Sequence, residues 1–114
     1  MHPFIKDREV IVICDDELVD MTFGTGAVKV TPGHDPRDFD CGLRHHLPQI
    51  TIFDTNGAIN ANGGEYKGLM RFDARVKMEE DMKRLGIWRK REVNKMRLGL
   101  CSRSKDVIEP LLKP

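Results

Sequence analysis

The chain has little of what marks several large functional classes. Its 3 cysteines, Cys14, Cys41 and Cys101, are widely spaced and form no CxxC pair. An odd, scattered set of this kind argues against a disulfide scaffold and against a structural zinc site, and it fits a reducing, cytoplasmic setting. No apolar run approaches the roughly 18 residues that a membrane helix needs. No signal-peptide pattern opens the chain, and no membrane partner is expected. Neither GxGxxG nor GxxxxGK[ST] occurs, so the lone Gly24-Thr25-Gly26 is not a phosphate loop. Internal repeats and low-complexity stretches are absent. The net charge is only +1, too little to make the whole chain a strong polyanion binder.

What is present is an ordinary globular composition, 39% hydrophobic and 32% charged. At 114 residues the chain is one domain or a piece of one. The charge is uneven: residues 1–82 hold 9 Lys/Arg against 15 Asp/Glu, and residues 83–114 hold 10 against 3. The basic side chains between Lys83 and Lys105 can track phosphates or form a solvated face, and composition leaves both open.

Local patterns predict a mix of strands and helices. Glu9–Cys14 is β-branched and short, a strand by propensity. After the acidic turn at 15–20, Ala27–Thr31 reads as a second strand. Its Lys29 and Thr31 share one face and the core-seeking Val28 and Val30 the other. Asp35-Pro36 has the form of a helix start, with Asp as N-cap and Pro at the first helical position, and the helix should reach 43–45. Gln49–Phe53 reads as a strand, Asn56-Gly57 as a tight turn, and Asn60–Gly64 as a loop. From Arg71 to Leu85, Met70, Ala74, Met78, Met82 and Leu85 form a core-facing helical stripe that Gly86 should cap. Short extended segments are expected at 87–88 and 96–101. Together these imply an α+β domain.

The densest chemistry lies between Phe23 and Asp40, at a strand-to-helix junction. Lys29 and Thr31 leave the strand on one side, and Asp35 and Asp38, three apart, share one helix face. Such a corner can bind an ammonium group, with Lys29 holding an ester or hydroxyl oxygen. Asp35 and Asp38 can equally be plain helix caps. His34 is a general-base candidate or a structural hydrogen-bonder. His45-His46 reads as a polar helix end with no carboxylate at metal-ligand spacing, and Cys41 has no evident base partner. No metal site is expected.

The runs GTGAVKVTPGHDPRDF and GLRHHLPQITIFDTNGAIN, followed by KGLMRFDAR and SRSKDVIEPLLKP, closely resemble the editing (connective-peptide) domain of valyl-tRNA synthetases. The match covers nearly the whole chain in order. The resemblance implies a distorted β-barrel flanked by helices, here spanning residues 1–114 as one editing domain. It also implies that the C-terminal string leads back toward a catalytic domain. The implied activity is hydrolysis of threonine misattached to valine tRNA, with threonyl-adenylate as a second substrate; the alternatives are a tRNA-binding fragment without hydrolysis and a free-standing deacylase acting in trans. An apolar pocket sized for valine cannot strongly reject isosteric threonine, so a second, polar pocket must recognise the hydroxyl. No cofactor is implied for editing; ATP and magnesium belong to the catalytic domain of the full-length enzyme. The implied partners are valine tRNA carrying threonine and the rest of the synthetase chain.

Position by position, Asp38 matches the carboxylate that grips the α-ammonium, and Lys29 the lysine needed for hydrolysis. Thr31 and Asp35 match pocket positions near the threonine side chain and amino group, and Phe23 and Asp20 match pocket-lining positions. Gly33 stands where the family often carries alanine, a change expected to leave the loop intact. The family's TTRPE-like segment, which completes the pocket, does not occur in the chain. The expectation is therefore a domain truncated at its N-terminal side, able to fold but poor at editing alone.

Overall fold

The computed structural model describes residues 1–112; Lys113 and Pro114, the end of the SRSKDVIEPLLKP string, lie outside the described residues. The regular elements are helical: α1 (Pro36–Arg44), a 3-10 helix (Ala61–Tyr66) and α2 (Arg71–Arg84).

Capping sets the limits of α1. The Asp35 side chain accepts from the Arg37 and Asp38 amides at 2.9 and 3.2 Å, and Pro36 supplies a pre-set first helical φ. At the other end the Leu47 amide reaches back to the Gly42 carbonyl at 2.8 Å and the His46 amide to that of Leu43 at 3.4 Å. This is the paired closure of a Schellman motif, and it holds His46 at φ 52°, in the left-handed region. The same motif ends α2. Ile87 and Gly86 amides bond the Met82 and Lys83 carbonyls at 3.0 and 3.1 Å, with Gly86 at φ 71°. Arg44 in α1 and Lys83 and Arg84 in α2 sit in the last turn, where they suit the negative end of the helix dipole.

Neither the expected α+β domain nor its distorted β-barrel is what the chain forms. Among the described residues there is no strand. Three isolated antiparallel bridges, Phe53–Ile59, Ala58–Met70 and Leu100–Val107, are the pairings found. The segments 9–14, 27–31, 49–53 and 96–101 have strand composition but no partner ladder. Val12, at 96% exposure, shows what that means for burial. Strand propensity expresses how well a side chain fits a paired, half-buried surface, and without the pairing it decides nothing. The predicted loop at Asn60–Gly64 also differs. Asn60 caps the 3-10 helix through the Asn62 amide at 2.8 Å, and Gly64 at φ 59° interrupts it. The methionine stripe of α2 is only partly buried: Ala74 is in the core, while Met70 and Leu85 are exposed.

The chain groups into two compact units. The first comprises Met1–Ile52 and the described residues from Pro110, the second Phe53–Glu109. In the first unit, α1 packs by its Gly42 face against Pro32, where an added Cβ would come within 2.8 Å of the proline ring. Cys41 is fully buried there. In the second, Ile59, Tyr66 and Ala74 form the core, and the Tyr66 hydroxyl donates to Asp81 Oδ2 at 2.9 Å. Arg71 ties α2 to the 106–107 segment through Asp106 and the Val107 carbonyl, both at 2.7 Å.

Candidate functional site

The first unit assembles the Lys29–Asp38 corner at the start of α1. Because α1 begins at Pro36, Asp38 lies in its first turn with its carboxylate directed at the 29–31 segment. Asp38 Oδ2 accepts from the Thr31 amide at 2.7 Å and from the Thr31 hydroxyl at 3.1 Å. Lys29 Nζ lies 3.2 Å from the same hydroxyl. A cation, a hydroxyl and a carboxylate thus form one hydrogen-bonded row running from the exposed Lys29 to Asp38, which is only 8% exposed. Asp35 stands beside this row as the helix cap, so its Oδ1 positions Asp38 by fixing the first turn.

Asp20 and Phe23 occupy a separate turn. Asp20 accepts from the Thr22 amide and hydroxyl at 2.8 and 2.6 Å, and the hydroxyl above all holds its carboxyl below the usual range. The Phe23 amide closes the turn on the Asp20 carbonyl at 3.1 Å, and the residue is 81% exposed. No hydrogen bond joins either residue to the Lys29–Thr31–Asp38 row. The structure therefore brings four of the six expected site residues together. His34 Nε2 accepts the Ile52 amide at 3.2 Å, which gives that ring nitrogen a structural task. Gly33 is less replaceable than expected, since a Cβ there would lie 2.7 Å from the Ile50 carbonyl oxygen.

A second cluster in the same unit escaped the sequence reading. Asp15 carries Arg44 on both oxygens, with Nη2 at 2.8 and 2.9 Å, and His45 Nε2 on Oδ2 at 2.9 Å. It also closes its own turn by accepting the Leu18 amide at 2.7 Å. The Asp15 side chain is 4% exposed. The Arg44 guanidinium, more than any other group, holds its carboxyl far below the usual range, and the Cys41 thiol beside it is pushed up by burial and then by Asp15. Of the cluster's members the sequence singled out Cys41 and His45, each without a partner.

No protein-family model matches the chain. Individual proteins do. It is 50% identical over 113 residues to the valine–tRNA ligase of Schizosaccharomyces pombe, covering 99% of this chain and 11% of that protein. It is 51% identical over 115 residues to mitochondrial valine–tRNA ligase 1 of Arabidopsis thaliana, covering 100% and 10%. The chain belongs to the valine–tRNA ligase family. The bacterial relative from Clostridium perfringens is 49% identical over 108 residues, 95% of this chain and 12% of that protein. The chain therefore spans about a tenth of the length of these three relatives. Some family members carry mitochondrial names, so the cytoplasmic setting expected from the cysteines is not family-wide. Among the described residues no helix is long and apolar enough to cross a membrane.

Proposed function

We propose that this segment hydrolyses the ester of threonine misattached to valine tRNA, as the editing part of a valyl-tRNA synthetase. The observation that carries the reading is the Lys29–Thr31–Asp38 row. Its chemistry suits the task. A carboxylate offers about four acceptor positions, so Asp38 retains capacity for an α-ammonium beyond the two Thr31 donors. The Thr31 hydroxyl donates to Asp38 and accepts from Lys29, and its second lone pair can accept from the threonine hydroxyl, a bond that a valine side chain cannot supply. Lys29, exposed and cationic, is placed to stabilise the charge that develops on the carbonyl oxygen.

The nucleophile in this reading is a water oriented by the bound ester, and an aminoacyl ester is reactive enough to need neither metal nor covalent intermediate. ATP and magnesium would serve only the aminoacylation centre elsewhere in a synthetase. Phe23 and Asp20 would join the pocket only if the 20–23 turn closed over the substrate.

A second reading, a tRNA-holding segment without hydrolysis, is favoured by the exposure of every residue from Arg91 to Leu100, including Lys95 and Arg97. Lys29→Ala, made in a valyl-tRNA synthetase that carries this segment, separates the two. Hydrolysis of threonyl-tRNA lost with tRNA binding retained supports editing; no hydrolysis in either form, with binding unchanged, supports the holding role.

A further inference from the structure

Three side chains of the first unit offer different metal-binding atoms to one small volume. The carboxylate of Asp15, the Cys41 sulfur and the His45 ring place their ligand atoms within 4.8 Å of one another. Cys41 and His45 are four apart at the end of α1, a spacing that stacks them on one helix face. Asp15 arrives from a turn whose own hydrogen bonds to Glu17 and Leu18 fix its orientation. We propose that Asp15, Cys41 and His45 form a zinc-type divalent metal site, with a fourth position open to water.

The geometry lies close to what the ion requires. Tetrahedral zinc with sulfur at about 2.3 Å and nitrogen or oxygen at about 2.0–2.2 Å sets its ligands about 3.3–3.6 Å apart. The His45–Asp15 pair at 2.9 Å would open by a few tenths of an ångström, and the widest separation would close by little more than one. His45 is partly exposed and provides the approach, while Cys41 closes the inner side. A thiolate, an imidazole and a carboxylate are a borderline-soft set suited to zinc rather than to magnesium or calcium.

Arg44 is the competitor, since it now holds Asp15. It also pairs with a second carboxylate, with Nη1 3.2 Å from Glu17 Oε2, so it keeps one ion pair when it releases Asp15. On binding, the Cys41 thiol gives its proton to solvent and no electron changes hands; His45 coordinates through the Nε2 lone pair with its proton on Nδ1. Two anionic ligands then balance the ion's charge. The consequence is mechanical: the ion clamps the turn that leads to Asp20 and Phe23 onto the helix that carries Asp38. This site is independent of the editing reading, because it uses none of the Lys29–Thr31–Asp38 row.

The test is a Co2+ titration of the chelator-stripped chain, with Zn2+ as competitor. The expected result is a thiolate-to-cobalt charge-transfer band with tetrahedral ligand-field bands, saturating at a single ion per chain and reversed by Zn2+. Both signals persist when Cys14 and Cys101 are replaced together by serine. The charge-transfer band vanishes in Cys41→Ser, and the ligand-field intensity drops in His45→Gln. Since Cys41 is buried and its serine variant can fail to fold, Arg44→Gln supplies an independent arm. Removing the competing cation should tighten Co2+ binding by roughly fivefold, about the upper weight of an exposed ion pair, whereas a purely structural arginine would leave affinity unchanged or weaken it. No bands in the wild-type chain, a charge-transfer band that survives Cys41→Ser, or unchanged or weaker binding in Arg44→Gln would each overturn the assignment.

Discussion

Asp38 stands at the centre of the account at the residue scale, because it anchors the 31 segment and supplies the negative charge of the row. Thr31→Val isolates the hydroxyl from the amide: the Thr31 N–H bond to Asp38 survives, and the bonds through Oγ1 do not. The expected stability loss is about 1 kcal/mol, the net weight of a hydrogen bond, and thermal melting measures it. Asp81 gives a pH prediction. Arg84 first, then Tyr66 and Lys77, lower its carboxyl from the ordinary 3.8 to about 2. A carboxyl lowered in the folded state stabilises above its ordinary value, and that contribution disappears as pH falls from near 3.8 through about 2. Asp81→Asn should therefore melt lower than wild type at neutral pH, and the gap should close by about pH 2; a gap constant across that range would contradict it. Tyr66 sets the alkaline edge. Burial and Asp81 push its hydroxyl up from 10.0 to about 12, so stability should fall as pH rises across that interval.

The reach of the sequence at this scale follows from separation along the chain. Lys29, Thr31, Asp35 and Asp38 were legible as one corner because they lie within ten residues and helix geometry relates the last two. Asp15 was not, since its partners Arg44 and His45 are 29 and 30 residues away. Cys41 looked isolated because Asp15 reaches it from a turn distant in the sequence, although His45 stands only four residues on.

At the scale of elements, the two helices end on one motif with different residues at the left-handed position. Gly86 adopts φ 71° without a Cβ penalty, while His46 adopts φ 52° with one. His46→Gly should raise stability by about 1 kcal/mol, and Gly86→Ala should lower it by about the same amount. Opposite shifts in the denaturant midpoint check both. Helices were read correctly because their starts and stops are local: Asp35-Pro36 and Gly86 carry their own instructions. The strands at 9–14 and 27–31 were read wrongly because a strand exists only when another pairs with it, and no residue pattern within the segment supplies that. The 3-10 helix hid in a glycine- and asparagine-rich string that also composes loops.

For the whole molecule, the absence of ladders among the described residues leaves apolar side chains in solvent. Phe23, Val12 and Val93 are among the most exposed, the last at 99%. Scattered exposure is ordinary, but β-branched runs such as 10–12 without a ladder are templates for pairing between chains. Sedimentation should therefore show association growing with concentration, reduced by Val12→Lys; a monomer at all concentrations would contradict it. The basic 83–105 region makes the tRNA arm testable as well: if it contacts phosphates, affinity falls steeply with salt, and the slope shrinks when Lys95 and Arg97 are changed to Ala.

The measurement that reaches the centre of the proposal is deacylation of valine tRNA charged with threonine or with valine. It is best made on a valyl-tRNA synthetase whose corresponding segment is replaced by this chain, beside the chain alone. The graft is expected to hydrolyse the threonyl ester and spare the valyl ester. Asp38→Asn should abolish hydrolysis while leaving valine charging intact, and the chain alone should edit poorly. Equal hydrolysis of the two esters, or threonyl hydrolysis unaffected by Asp38→Asn, would contradict it.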